Sequence, residues 1–282
     1  MKTLSNTRKL VECALLIAVA TVLSLIKIAG MPYDGSVTLA SMLPVILISY
    51  RHGLGWGMGS GVAYAVIQQL LGLKSLSYVT TWQSILAVIL LDYIIAFAVC
   101  GLGGIFRKCL KTQSVALGCG ALFVSVLRYL CHVVSGATVW AGISIPTGAA
   151  IAYSLVYNAT YMLPETIVLV LAAFYLGSMI DFTKDLPVRL KRQDSDPTAD
   201  MLTAFSGFVG LSALIADVAM VFAHMQDPET GKFIIEQLKV DSFAGSFWLA
   251  VTIVTAVAVV AVSIMLTARH FLLQKKNGEK AE

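Results

Sequence analysis

The stretch "RYLCHVVSGATVW", Arg128 to Trp140, sets a guanidinium and an imidazole four residues apart inside an apolar run, with an indole just beyond. On a helix that spacing is about one turn, so Arg128 and His132 share a face. Asp92 in "LLDYIIAF" and Glu165, directly after Pro164, lie in equally apolar surroundings. Ionisable groups are costly in hydrocarbon and as a rule face a bundle interior or a water-filled site. Near them in the chain stand Tyr93, Tyr153, Tyr157 and Asn158, while Gly136 and Gly142 flank Trp140 and leave room for close approach. A carboxylate, several aromatic faces, an imidazole and a carboxamide suit a flat, cationic, hydrogen-bonding ligand. The aromatic faces attract the cation, Asp92 offsets its charge, and His132 and Asn158 read its edges.

Plainer readings compete. Asp92 and Arg128 are suited to a buried ion pair tying two helices, although such a pair is costly to desolvate and apolar packing holds helices at least as well. His132 alone reads as a hydrogen-bonded interior histidine. Glu165 reads as bonded to backbone freed by Pro164 and is left out of the site. Tyr78 and Trp82 read first as anchors at the membrane surface. No metal-binding or nucleophile motif is present, and the five cysteines (Cys13, Cys100, Cys109, Cys119, Cys131) lack metal or redox spacing, so they read as packing residues. "ETGKF" lacks the leading glycine and hydroxyl residue of a phosphate loop, and "GLGGIF" does not follow a strand. The sequence therefore implies no ATPase, metal or cofactor, and a ligand could be concentrated only by a partner or a gradient. A secondary transporter using Asp92 and Arg128 as a relay is one alternative, and an intramembrane enzyme with His132 as acid or base is another.

The elements that must position these residues are helices in a bilayer. The chain is 58% hydrophobic and 13% charged, and its apolar residues fall in runs long enough to cross a hydrocarbon core. Eight segments emerge, at about 10–29, 37–50, 54–72, 80–106, 113–136, 148–180, 200–224 and 244–272. The second is short and carries Pro44, which predicts a tilted or irregular segment. The first lacks a small-residue cleavage site and reads as a retained helix. With eight spans, fifteen of the 20 Lys and Arg residues fall on the side of both termini, which the positive-inside rule makes cytoplasmic. The expected protein is a multi-pass plasma-membrane protein whose net charge of +4 reflects topology rather than nucleic-acid binding. The charged stretch "DFTKDLPVRLKRQDSDPTAD" divides the chain. Residues 1–180 form a six-helix unit, 181–199 a cytoplasmic linker, and 200–282 a further transmembrane hairpin with a basic tail.

On the first helix, Ala14 and Ala18 have the small-xxx-small spacing that admits another helix closely. Over about residues 8–180, "LLDY", "RYLCHVVSG…VW" and "AYSLVYN", with "MPYDGSVTLASMLPVILISYRHGL" after the first helix, resemble the thiamine-specific substrate-binding (S) component of energy-coupling factor (ECF) transporters. The resemblance implies an all-α, six-helix bundle that captures thiamine from outside. It also implies docking on a transmembrane coupling subunit with two ATPase subunits. By the same resemblance Asp92, Tyr93, His132, Gly136, Trp140, Tyr153 and Asn158 bind the ligand, with Arg128, Tyr157 and Tyr33 in support, and Ala14 and Ala18 face the coupling subunit. The chain departs from the family pattern in three places: Asp92 is a methylene shorter than the glutamate found in members, "PYDGS" has Tyr33 where some members place a tryptophan, and "AGISIPTG" lacks a loop aromatic. An S component for another small heterocycle is the nearest alternative.

Overall fold

Backbone amides and carbonyls have no water to bond in hydrocarbon, so each spanning segment must satisfy them internally, and helices do so. A computed structural model describes residues 5–30, 35–110, 112–141, 150–189, 197–225 and 246–279. They form α1 (Asn6–Leu25), β1 (Lys27–Gly30), β2 (Ser36–Thr38), α2 (Leu43–His52), α3 (Leu54–Leu71), α4 (Trp82–Lys108), α5 (Gln113–Thr138), α6 (Ala150–Met179), β3 (Ile180–Asp181), β4 (Val188–Arg189), α7 (Pro197–Met225) and α8 (Ser246–Glu279). A 3₁₀ helix, Leu73–Tyr78, joins α3 to the turn before α4.

Local chemistry explains most boundaries. The Ser5 hydroxyl caps α1 by accepting from the Arg8 amide, and Thr81 caps α4 by accepting from Ser84. Gly53, at φ 94°, makes the sharp break between α2 and α3 that a side chain would oppose. Two expectations are corrected here. The first segment, expected to run to residue 29, is helical only to Leu25, because Lys27–Gly30 pairs antiparallel with Ser36–Thr38 and finds its backbone partners there. The second, 37–50, is irregular as far as Met42, through strand and turn, but Pro44 is not the cause: the helix is regular from Leu43 to His52, since a proline in the first helical turn removes an amide that has no partner there anyway.

Residues 1–190 form one unit and 191–282 another. The first unit has its core where α2, α3, α4, α5 and α6 meet around Ile46, Tyr64, Leu117 and Leu169, all fully or almost fully buried. At the end bearing Arg51 the helices touch through backbone. A Cβ on Gly57 would lie 2.5 Å from the Gly101 carbonyl, one on Gly104 2.5 Å from the Ser49 carbonyl, and one on Gly120 2.0 Å from the Gly103 carbonyl. Ser49 Oγ donates to Gly101 O at 2.5 Å and accepts from the Gly104 amide at 3.0 Å. "GLGGIF", which failed as a phosphate loop, is a helix-packing seam. Arg51 fastens the same end. Its guanidinium pairs with Glu12 of α1 and donates to the carbonyls of Phe182, Lys184 and Asp185 beyond α6.

In the second unit α7 and α8 pack antiparallel, with Gly210 facing Val262 and Asp217 accepting from the Thr255 hydroxyl at 2.6 Å. The loop between them lies outside the described residues.

Candidate functional site

The middle of α4 is not regular. Ile89–Ile95 forms a π-helical segment, a widened turn often found at functional sites, and it carries Asp92 and Tyr93. From α5, His132 and Ser135 face the same carboxylate; their spacing of three residues puts both on one side of the helix. Asp92 Oδ1 lies 2.9 Å from His132 Nδ1, and Oδ2 accepts from Ser135 Oγ at 2.7 Å and from the Trp140 indole N–H at 3.0 Å. Where Nδ1 is the donor of the first bond, the other ring nitrogen, Nε2, is left as an acceptor. The carboxylate is thus one hub for three other polar side chains.

A cavity of about 340 Å³ opens onto this hub, within the range of small-molecule sites. Asp92, Tyr93, Arg128, His132, Gly136, Trp140, Tyr157 and Asn158 all line it, together with Ser24, Gln68, Phe97, Thr38, Tyr161 and Glu165. The side chain of Tyr153 and the whole of Tyr33 lie outside the described residues. Ala14 and Ala18 are far along α1 and exposed. Ala14 lines a second, apolar groove of about 420 Å³ between α1 and α3, with Cys13, Ile17, Trp56, Gly59 and Ala63.

Supporting contacts set the walls. The Tyr93 hydroxyl lies 3.0 Å from Ser75 Oγ and donates to the Gly72 carbonyl at 3.2 Å, and a Cβ on Gly72 would sit 2.2 Å from that hydroxyl. Gly136 is needed for the same reason, because a Cβ there would lie 2.2 Å from Ser154 Oγ. Tyr78 packs on Trp140 at 6.3 Å between ring centroids, so it belongs to the site's rim. Trp82, 70% exposed, has the outward aspect of a surface anchor. Asn158 is committed to the protein: its amide donates to Ser154 O at 2.9 Å and His132 O at 3.3 Å, and its oxygen accepts from Tyr161 at 2.6 Å.

The suggested Asp92–Arg128 pair does not form. Arg128 points instead to Glu165, 2.5 Å away, and lies over the Phe97 ring at 4.7 Å. Glu165 is not a partner of backbone freed by Pro164; it is 2% exposed, ion-paired and part of the cavity floor. Sequence reading also passed over Ser135 and Tyr161, although each stands three residues beyond a chosen site residue and so on the same helix face.

A family model described as Thiamine transporter protein (Thia_YuaJ) matches residues 10–184. Thiamine transporter ThiT of Bacillus subtilis (strain 168) is 36% identical over 172 residues, which cover 57% of this chain and 85% of that protein. A solved structure of ThiT from Listeria monocytogenes is similar at 25% identity over 60% of this chain and 92% of its own, with a TM-score of 0.49. The family match ends before α7 and α8 begin.

Proposed function

The chain belongs to the thiamine transporter protein family, and from that premise we propose that it is the thiamine-binding membrane subunit of an ATP-driven uptake system. The observation that carries this reading is the convergence of Asp92, His132, Ser135 and Trp140 on one cavity. Thiamine joins an aminopyrimidine to a cationic thiazolium. A carboxylate beside the cation and an indole face against it together offset the charge that an apolar bundle would otherwise exclude. With Nδ1 as the donor to Asp92, the His132 ring has an acceptor at Nε2 that a small side-chain shift would turn to an amino group. Tyr93 and Tyr157 add aromatic lining to the same cavity.

The chain contains no nucleotide-binding motif, so the energy for uptake comes from elsewhere. The groove between α1 and α3, with Ala14 and Gly59 on its walls, suits the close approach of a helix. That supports a coupling subunit, joined to two ATPase subunits, as the partner. The end bearing Arg51 and Arg107 then faces the cytoplasm, where the positive-inside rule puts it, with both termini on that side. The separation of Asp92 from Arg128 removes the basis for a relay between them, and with it the main argument for a stand-alone secondary transporter.

Calorimetry on the purified full chain tests the ligand. Thiamine should bind without ATP or ions and quench tryptophan fluorescence through Trp140, and Trp140→Ala should weaken binding by more than about 1 kcal/mol. Absence of both heat and quenching in the unmodified chain refutes the assignment.

A further inference from the structure

β2 ends where the two helices of the cavity floor meet. Its last residue, Thr38, is 7% exposed. Its hydroxyl donates to Glu165 Oε1 at 2.6 Å, its amide reaches the same oxygen at 3.4 Å, and Ser41 Oγ lies 2.8 Å away. The other oxygen of Glu165 takes Arg128. One buried carboxylate therefore joins the α1–α2 connection to both α5 and α6. Two residues on, Ala40 has φ 51°, a left-handed conformation that a non-glycine residue keeps only where its surroundings over-determine it. A buried charged pair is also a poor means of packing helices, since apolar side chains do that at lower desolvation cost.

We infer that Glu165 and Thr38 are positioning residues of the ligand site, which pin the β1–β2 ribbon as a cavity wall and set how long the ligand stays. Lys27, Ser36 and Thr38 of the ribbon line the same cavity as Asp92 and Trp140. The ribbon has two short strands with a register shift between Lys27 and Ala29, and a two-stranded ribbon holds poorly without an anchor. Thr38 fixes its end to the floor, while Arg128 holds the Glu165 carboxylate in place. Releasing the pin raises the fraction of time the wall stands open. A bound ligand leaves through that open form, so dissociation accelerates, whereas association through the same form is not slowed.

The ligand part of this inference rests on the thiamine reading, and the pin is measurable without it. Glu165→Gln strands the Arg128 guanidinium and endangers folding, so the decisive variant is Thr38→Val, which keeps the shape and the charged pair and removes only the hydroxyl. In the ligand-free full chain, amide hydrogen exchange should quicken in a peptide covering 35–42 and stay unchanged across 113–138. Thiamine dissociation, followed by stopped-flow fluorescence, should quicken by about tenfold, as loss of a hydrogen bond to a charged group implies. Association should stay at least as fast as in the unmodified chain, and Thr38→Ser should restore both rates. Unchanged exchange at 35–42, or an affinity loss carried by slower association, overturns the pin. Failure of the unmodified chain to bind thiamine overturns the ligand assignment instead, and the exchange result still decides the pin.

Discussion

Asp92 presents its two oxygens to three donors of the protein itself, so a cationic ligand meets a carboxylate already oriented by His132, Ser135 and Trp140. Orientation fixed before binding is not charged against affinity. If the charge of Asp92 is what the ligand uses, Asp92→Asn should weaken thiamine by about tenfold or more while a neutral analogue lacking the thiazolium charge loses much less, as expected for hydrogen bonds and contacts that involve ions. Paired titrations of both ligands on both proteins measure the difference, and equal losses reduce Asp92 to a scaffold for the Trp140 loop. At this scale the sequence was informative about membership and not about pairing. The four-residue spacing of Arg128 and His132 put them on one face, and both line the cavity. Which carboxylate each one meets depends on depth and on the rotation of α5 against α4 and α6. A lone sequence carries no signal for that, so it offers an Asp92–Arg128 pair as one reading and does not point to the Arg128–Glu165 pair that forms.

Helices were legible because apolar runs of that length have few other folds in a bilayer. The exceptions are informative. The π-helical turn at Ile89–Ile95 leaves no trace in a uniformly apolar run such as "VILLDYIIAF", yet it displaces Asp92 and Tyr93 relative to a regular helix. The β1–β2 ribbon was hidden because its backbone pairing, not its side-chain pattern, makes it a sheet. The turn after α3 shows how closely these elements are fitted. A Cβ on Gly72 would lie 2.2 Å from the Tyr93 hydroxyl and 2.9 Å from its ring carbon. Gly72→Ala should therefore push the Tyr93 ring off its place, destabilise the fold by about 1–3 kcal/mol as overpacking usually does, and lower ligand affinity. In a Tyr93→Phe background the same substitution should cost less, because the nearest clash is gone. A double-mutant cycle by calorimetry measures this coupling, and strictly additive losses would mean that Gly72 acts on the backbone alone.

Within the first unit the ligand cavity and the apolar groove of α1 are separate features. The hub of Asp92 lies among α4, α5 and α6, whereas the apolar groove that holds Ala14 lies between α1 and α3. Replacing both Ala14 and Ala18 with tryptophan should leave thiamine affinity within about twofold, because additive effects are the rule for distant sites. It should also abolish co-purification with a coupling subunit and ATP-dependent uptake. Accumulation of thiamine in proteoliposomes holding this chain alone under an ion gradient would refute the partner model. The α7–α8 hairpin stands outside the family match, and its Asp217–Thr255 bond is a polar tie within its own unit. The glycine seam of the first unit has a mechanical consequence. At Gly57–Gly101 and Gly103–Gly120 helices meet backbone to backbone, with the short Ser49 side chain bonded into the same seam. At the opposite end the walls are joined by side-chain hydrogen bonds of Thr38, Tyr93 and Trp140, each of which can be broken and remade separately. The bundle therefore has close main-chain contact at one end and separate side-chain ties at the other. Sliding at the seam would have to move main chain, whereas at the cavity a single side-chain bond can open by itself.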